Sequence, residues 1–189
     1  MRIVLASNSP RRKELLAQIG VEFEIIPSKF EELFVEMAPQ QLVEHFAYMK
    51  AADVAAAVQG EALIIGSDTI VCLDEIMGKP RDKEAAFNML KKLSGKQHLV
   101  MSGLSIINAA SGESITSHEI TKVRMKELDI DEINAYIATG EPMDKAGAYA
   151  IQGMGSLLVE GIEGDYFNVV GLPLFRLRRM LEHFGVKLL

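Results

Sequence analysis

Short apolar runs alternate with longer amphipathic stretches along the chain. RIVLA and FEIIP are typical of short buried strands, whereas the Ala-rich stretch 38–59 repeats apolar residues at helical spacing. Ser9, Pro10 and Gly20 supply the cap, first-turn and stop signals of an earlier helix. The pattern predicts strands at 2–6, 23–27, 62–66 and 69–73, two long strands within 98–128, and helices at 10–19, 38–59, 82–95, 129–140 and 172–185.

Strands that alternate with helices, together with a long hairpin turning at Ser111–Gly112, predict an α/β or α+β fold with a mixed sheet. No linker divides the chain cleanly, and we therefore expect a single domain over residues 1–189. The segment 141–173 is rich in glycine and proline and reads as loops that carry polar side chains. Loops with placed polar groups usually bind a ligand.

Composition narrows the class of protein. A net charge of −6 disfavours a surface that coats nucleic acid, although it leaves room for a local basic pocket. The single cysteine, Cys72, excludes an internal disulfide and fits a reducing compartment. No apolar run approaches the roughly 18 residues that span a membrane. These features predict a cytoplasmic protein that binds neither nucleic acid nor membrane.

The stretch SNSPRRK places cations where a helix begins. Each cation in the first turn opposes the helix dipole and costs on the order of 0.3–1 kcal/mol. The same helix end binds anions, and a phosphate there would turn Arg11 and Arg12 into ligands, with Ser7 and Ser9 as further donors. The alternative is a solvated basic turn that includes Lys13.

Several carboxylates and lysines elsewhere in the chain can each be interpreted either as functional or as merely structural residues. Asp68 lies between two apolar runs, and is either a buried carboxylate that holds a metal or a proton, or part of a turn at 67–68. Glu31 and Glu32 suit a divalent cation or a solvated acidic turn. Lys50 interrupts an apolar helix face, and either extends to solvent or points into a site. Lys79, in MGKP, is a weak signal alone.

Five motifs in order, SNSPRR, GSDT, GKP, DKAGAYAIQG and GDYFNVVGLP, resemble those of the Maf family. Its members are nucleoside triphosphate pyrophosphatases, once described as septum-formation inhibitors. The block AGAYAIQG resembles the branch that acts on dTTP and UTP. The segment KFEEL departs slightly from the family pattern, which more often has an Asp-Glu pair at these positions. The second carboxylate of the pair, Glu32, is still present.

The resemblance implies an elongated α/β fold with a central mixed sheet, flanking helices and a cleft between two lobes. That fold is similar to the inosine-triphosphate pyrophosphatases, and dimers are common in the family. Asp68 matches the carboxylate assigned as proton acceptor. The resemblance ties Arg11, Thr69 and Gln152 to substrate choice and places Ser7, Arg12, Glu32, Lys50 and Lys79 elsewhere in the cleft.

These roles combine into one expected reaction. The cations and the helix end would hold the phosphates, while Asp68 and Glu32 hold Mg²⁺ or Mn²⁺ and position a water that attacks the α-phosphorus. The products are a nucleoside monophosphate and pyrophosphate. The amide of Gln152 offers a donor and an acceptor, which matches N3–H and a carbonyl of uracil, thymine or a modified pyrimidine. The alternative is a nucleotide-sensing regulator of cell division without turnover, which needs no buried carboxylate.

Overall fold

The strands of the chain form a mixed sheet, as the alternating pattern predicts. In this computed structural model, which describes residues 1–33 and 35–189, seven strands are ordered β2-β1-β3-β5-β6-β7, with β4 paired to β3. The strands are β1 (Arg2–Leu5), β2 (Glu24–Ile25), β3 (Ala62–Cys72), β4 (Ile76–Met77), β5 (Gln97–Asn108), β6 (Ser114–Met125) and β7 (Val159–Glu163). β1 runs parallel to β2 and β3, whereas β4 and β7 are antiparallel to β3 and β6.

The helices follow the sequence signals closely. They are α1 (Pro10–Gln18), α2 (Pro39–Ala55), α3 (Lys83–Leu93), α4 (Ile130–Ala138), α5 (Tyr166–Val170) and α6 (Leu174–His183). Asp129 and Glu132 form a capping box at α4, and Asp82 caps α3 by accepting from Ala85 N. Ser9 precedes Pro10 at the start of α1 but makes no side-chain capping hydrogen bond. Among residues 1–33 and 35–189, no helix is long and apolar enough to cross a membrane.

Two expectations are wrong. Residues 67–68 are not a turn, because β3 continues from Ala62 to Cys72 and Ser67 is fully buried on it. The segment 141–173 is not mainly loop: it forms three 3₁₀ helices (Glu141–Asp144, Ala146–Ala148 and Gly153–Leu158) before β7 and α5. Four glycines of this segment, Gly147, Gly153, Gly164 and Gly171, adopt positive φ angles within or between these short elements, so glycine content alone is a poor guide to loops here.

The chain divides into two compact units, each with its own apolar core. The first unit comprises residues 1–68, 102–119 and 171–189, and the second comprises 69–101 and 120–170. The core of the first unit includes Val4, Val54 and Ile64. The core of the second gathers side chains from α3, α4, β6 and the 3₁₀ segments around Leu90, Val123 and Ile137.

In the first unit, α2 lies directly on the sheet through glycines. A Cβ at Gly66 of β3 would come within 2.2 Å of Ala47 O, and one at Gly103 of β5 within 1.9 Å of Val43 O. Ala47 and Ala51 are the small residues that α2 presents at this contact, and both are fully buried. Helix and strand therefore touch through backbone atoms, and Lys50, next to Ala51, is brought close to the middle of β3.

Candidate active site

The buried carboxylate of Asp68 is paired with Lys50. Lys50 Nζ lies 2.7 Å from Asp68 Oδ1 and 2.5 Å from Glu32 Oε1. Asp68 is only 6% exposed, so its charge requires a partner, and the lysine supplies it. Lys50 therefore points into this cluster rather than out to solvent, and its ammonium lies between the two carboxylates that the sequence suggests as metal ligands.

The segment before Glu32 is fixed to the same helix. Asp53, one helical turn after Lys50, accepts hydrogen bonds from Ser28 Oγ at 2.8 Å and from Lys29 N at 2.7 Å. Several hydrogen bonds lower the pKa of Asp53, and the bond from the backbone N–H of Lys29 has the largest effect. Asp53 thereby helps to place Glu32 beside Lys50. The sequence gives no signal for this role, because the contact joins residues far apart in the chain.

Arg12 is oriented by two oxygen acceptors. Its Nε donates to Gly171 O at 2.9 Å and its Nη1 to Ser7 Oγ at 3.2 Å. Gly171 O also accepts from Ser67 Oγ at 3.2 Å, and Ser7 Oγ accepts from Ser9 N at 3.2 Å. The carbonyl of Gly171 is a second feature that sequence reasoning missed, although it lies in one of the recognised motifs.

The charges around Arg12 favour an anionic ligand. Burial lowers the pKa of Arg12, and the neighbouring charge of Arg11 lowers it further, while Asp68 and Glu32 act in the opposite direction. An arginine nevertheless stays protonated in proteins. Two half-buried cations close together at a helix N-terminus gain from any phosphate that approaches them. The two hydrogen bonds of Arg12 fit the anion-binding interpretation of SNSPRRK, and the roles of Arg11 and Arg12 in phosphate binding stay predictions.

The structure brings together six of the nine candidate residues, all in the first unit: Ser7, Arg11, Arg12, Glu32, Lys50 and Asp68. Thr69, Lys79 and Gln152 belong to the second unit. Thr69 follows Asp68 on β3 and is half-buried, whereas Lys79 is exposed after β4. Gln152 precedes the 3₁₀ helix Gly153–Leu158 without capping it through its side chain. The functional roles of all nine residues stay predictions.

Two polar residues of the segment 141–173 are structural. Asn168 is fully buried, and its Nδ2 donates to Val100 O at 3.0 Å and to Thr121 Oγ1 at 2.9 Å. Tyr149 Oη lies 2.7 Å from His98 Nε2, and the two rings pack edge to face. These hydrogen bonds join parts of the core of the second unit, which accounts for the two buried polar side chains.

The donor atoms of Asp68 and Glu32 fit a hard divalent cation. Within residues 1–33 and 35–189, no group of three or more His, Cys, Asp or Glu side chains is placed to hold a metal. Mg²⁺, however, is commonly bound by one or two carboxylates together with substrate phosphates. Two carboxylates that share one ammonium, beside a helix end suited to phosphate, match a site that the substrate completes.

A family profile described as Maf-like protein matches residues 2–184. The chain belongs to the Maf-like family. The resemblance inferred from the five motifs is thus confirmed.

Close relatives cover the whole chain. The dTTP/UTP pyrophosphatase of Acetivibrio thermocellus is 55% identical over 196 residues, which cover 100% of this chain and 98% of that protein. The proteins of the same name from Alkaliphilus metalliredigens and Thermoanaerobacter sp. are each 50% identical, with 100% of this chain covered in both cases and 99% and 100% of those proteins.

Among solved structures, the Maf-like chain is similar to two HAM1 proteins. The one from Coxiella burnetii aligns with a TM-score of 0.47 and 15% identity, over 71% of this chain and 90% of that chain. The one from Staphylococcus aureus aligns with a TM-score of 0.44 and 15% identity, over 66% of this chain and 72% of that chain.

Proposed function

We propose that this Maf-family chain hydrolyses nucleoside triphosphates, preferably dTTP and UTP and including modified pyrimidines, to the monophosphate and pyrophosphate. The observation that carries the proposal is the Lys50 ammonium held between Asp68 and Glu32, close to Arg12 at the start of α1. A buried carboxylate that can accept a proton, beside cations at a helix end that can hold phosphate, suits hydrolysis of a phosphoanhydride. The relatives named dTTP/UTP pyrophosphatase support the same reaction.

The cations of the first unit hold the phosphate chain. Arg12, already oriented by Ser7 and Gly171, presents its guanidinium in one position, and Arg11 adds a second charge. A triphosphate carries about four negative charges, so these cations, the α1 N-terminus and Lys50 stabilise it and the charge that develops on the leaving pyrophosphate. Lys79 is assigned to the same task from its place in the GKP motif.

Asp68 is assigned as the acceptor of the proton from the attacking water. Its near-complete burial keeps the carboxylate out of bulk water, and Lys50 fixes its orientation through Oδ1. The oxygen of that water becomes bonded to the α-phosphorus, and the bond from the α-phosphorus to the bridging oxygen breaks. Asp68 and Glu32 would also hold Mg²⁺ or Mn²⁺, and a bound ion of this kind supplies Lewis-acid stabilisation of phosphate charge.

Gln152 is assigned as the reader of the base. Its amide offers a donor and an acceptor side by side, and a uracil or thymine ring presents N3–H beside a carbonyl oxygen. The side chain makes no capping hydrogen bond to the following 3₁₀ helix, so its amide is not engaged there. Arg11 and Thr69 are assigned to substrate choice with it.

The testing experiment measures pyrophosphate release from a panel of nucleoside triphosphates with Mg²⁺ or Mn²⁺. Wild type is compared with Asp68→Ala and with Asp74→Ala, which removes an exposed carboxylate. We expect dTTP and UTP to lead, Asp74→Ala to match wild type, and Asp68→Ala to lose activity. Triphosphates that bind wild type without being hydrolysed would contradict the proposal and favour a nucleotide-sensing regulator.

We place the enzyme in the cytoplasm, where its single cysteine stays reduced, and propose that it removes unwanted triphosphates from the nucleotide pool. The homodimer that the family resemblance implies is part of the same proposal, and sedimentation of the purified chain tests it.

A further inference from the structure

A pair of polar side chains in the second unit holds the backbone near Gln152. Tyr136, near the end of α4, donates its hydroxyl to Glu141 Oε1 at 2.8 Å. The same hydroxyl accepts the backbone N–H of Ala150 at 3.2 Å. Tyr136 is almost completely buried, so this hydroxyl connects two parts of the second unit from within its core.

Glu141 continues the connection on the other side of Gln152. Its Oε2 accepts the backbone N–H of Met154 at 3.0 Å, and its Oε1 accepts that of Gly155 at 3.0 Å. The Tyr136–Glu141 pair therefore bonds the backbone two residues before Gln152 and again two and three residues after it. The short segment that carries the assigned base reader is fixed at both ends.

Two glycines allow this close approach. Gly153 has φ +64°, and a Cβ there would lie 2.6 Å from Glu141 Oε2. A Cβ at Gly155 would lie 2.2 Å from Ala150 O and 2.6 Å from Tyr136 Oη. The GMG sequence after Gln152 is thus explained by the side chains that hold it, since any larger residue at these positions would push the segment away.

The carboxylate of Glu141 is kept ionised. Burial alone raises its pKa, but the hydrogen bonds from Gly155 N, Tyr136 Oη and Met154 N, with the charge of Lys145, lower the pKa below its usual value. An ionised carboxylate accepts all of these donors at once. Glutamine at this position would present an N–H to one of them and lose that bond.

We infer that Glu141 and Tyr136 are positioning residues for base selection, acting through the backbone on either side of Gln152. The inference rests on the proposed function, because it assumes that Gln152 reads the base. Neither residue needs to touch the substrate. Their effect is to hold the Gln152 amide in one orientation, so that only a base with the matching donor and acceptor binds well.

The test measures kcat and KM for UTP and for CTP, which replaces the N3–H donor by an acceptor. The variants are Glu141→Gln, Tyr136→Phe, Gln152→Ala and the double variant Glu141→Gln/Gln152→Ala. Glu132→Gln is the matched control, because it removes another α4-associated carboxylate that takes part in helix capping and makes no contact with Ala150, Met154 or Gly155. The preference for UTP over CTP is a ratio, so it does not depend on the fraction of folded protein.

We expect Glu141→Gln and Tyr136→Phe each to lower the preference for UTP about tenfold, mainly by raising KM for UTP, while Glu132→Gln leaves it unchanged. In the Gln152→Ala background, Glu141→Gln should cause no further loss of preference. If Tyr136→Phe, which keeps the ring packing, and Glu141→Gln both retain the wild-type preference, or if the losses simply add in the double variant, the inference is wrong.

The same variants separate this inference from the proposed function. If Gln152→Ala keeps the wild-type preference, the assignment of Gln152 as base reader fails first, and the positioning role falls with it. If Gln152→Ala removes the preference but Glu141→Gln and Tyr136→Phe do not, the base reader stands and only the positioning role is overturned. A wild-type protein that hydrolyses neither nucleotide overturns both.

Discussion

Lys50 Nζ lies 2.7 Å from Asp68 Oδ1 because the helix and the strand that carry them touch through backbone atoms. Gly66 stands two residues before Asp68 on the same face of β3, and no Cβ fits between it and Ala47 of α2. The lysine is therefore near enough to compensate the buried carboxylate. A bulkier residue at position 66 would separate the two elements and leave the charge of Asp68 without close compensation.

Gly66→Ala should accordingly disturb both stability and activity. Overpacking a closed contact of this kind typically costs about 1–3 kcal/mol of the free energy of unfolding. We expect a loss in that range by urea denaturation, together with a large fall in pyrophosphate release. Gly161→Ala is the control, since a Cβ there meets only Arg124 Nη2 at 3.5 Å. Equal stability and activity of Gly66→Ala and wild type would contradict the packing account.

Removal of Lys50 should cost far more than removal of an exposed lysine. Lys50→Ala leaves Asp68 buried without its partner, and we expect a loss of about 3 kcal/mol in the free energy of unfolding. Lys92→Ala breaks an exposed ion pair with Glu75 and should cost less than about 1 kcal/mol. Urea denaturation of both variants at one pH decides the matter, and similar losses would show that Asp68 does not depend on Lys50.

Much of this architecture is predictable from the sequence because its signals are local. The apolar periodicity, the Asp129 capping box and the glycine stops mark helices and strands without help from the rest of the fold. β4 escapes prediction because it is only two residues long, and β7 because it is short and is defined by pairing with the distant strand β6. The continuity of β3 through Ser67 and Asp68 likewise depends on a carbonyl and a lysine supplied from elsewhere.

Some residues of the candidate site are likewise predictable from local sequence motifs, and others are not. Arg12, Asp68 and Gln152 stand in recognisable motifs, so the sequence finds them. Asp53 and Glu141 do not, because an isolated carboxylate looks the same in the sequence whether it is solvated or accepts backbone N–H groups from a distant segment. Their roles follow only from hydrogen bonds that join residues far apart in the chain.

His98 should make stability fall in mild acid. Burial lowers its pKa from 6.5 to about 4, so the folded protein binds this proton less readily than the unfolded chain does. Its contribution is complete above the unfolded pKa near 6.5 and is lost as the pH falls towards 4, with a limit of about 3 kcal/mol.

Urea denaturation between pH 7.5 and 4 tests this dependence. We expect the slope of stability against pH to be smaller in His98→Gln, whose amide can still bond to Tyr149, than in wild type. His183→Gln, which changes an exposed histidine, should keep the wild-type slope. The same slope in all three proteins would mean that His98 does not titrate with unfolding.

Gln152→Glu should reduce turnover of dTTP and UTP strongly. A carboxylate only accepts hydrogen bonds, so it would face a carbonyl oxygen of the base with no donor. We expect a loss of about 100-fold in kcat/KM for both nucleotides. Gln97→Glu, which adds the same charge at an exposed position of the second unit, should have no such effect. Unchanged selectivity among bases in Gln152→Glu would contradict the assignment.

In the proposed reaction, water attacks the α-phosphorus and pyrophosphate leaves. Hydrolysis of UTP in ¹⁸O-labelled water, followed by mass spectrometry of both products, tests it most directly. The account predicts one labelled oxygen in UMP and none in pyrophosphate. Label in pyrophosphate, or release of inorganic phosphate in place of pyrophosphate, would contradict it.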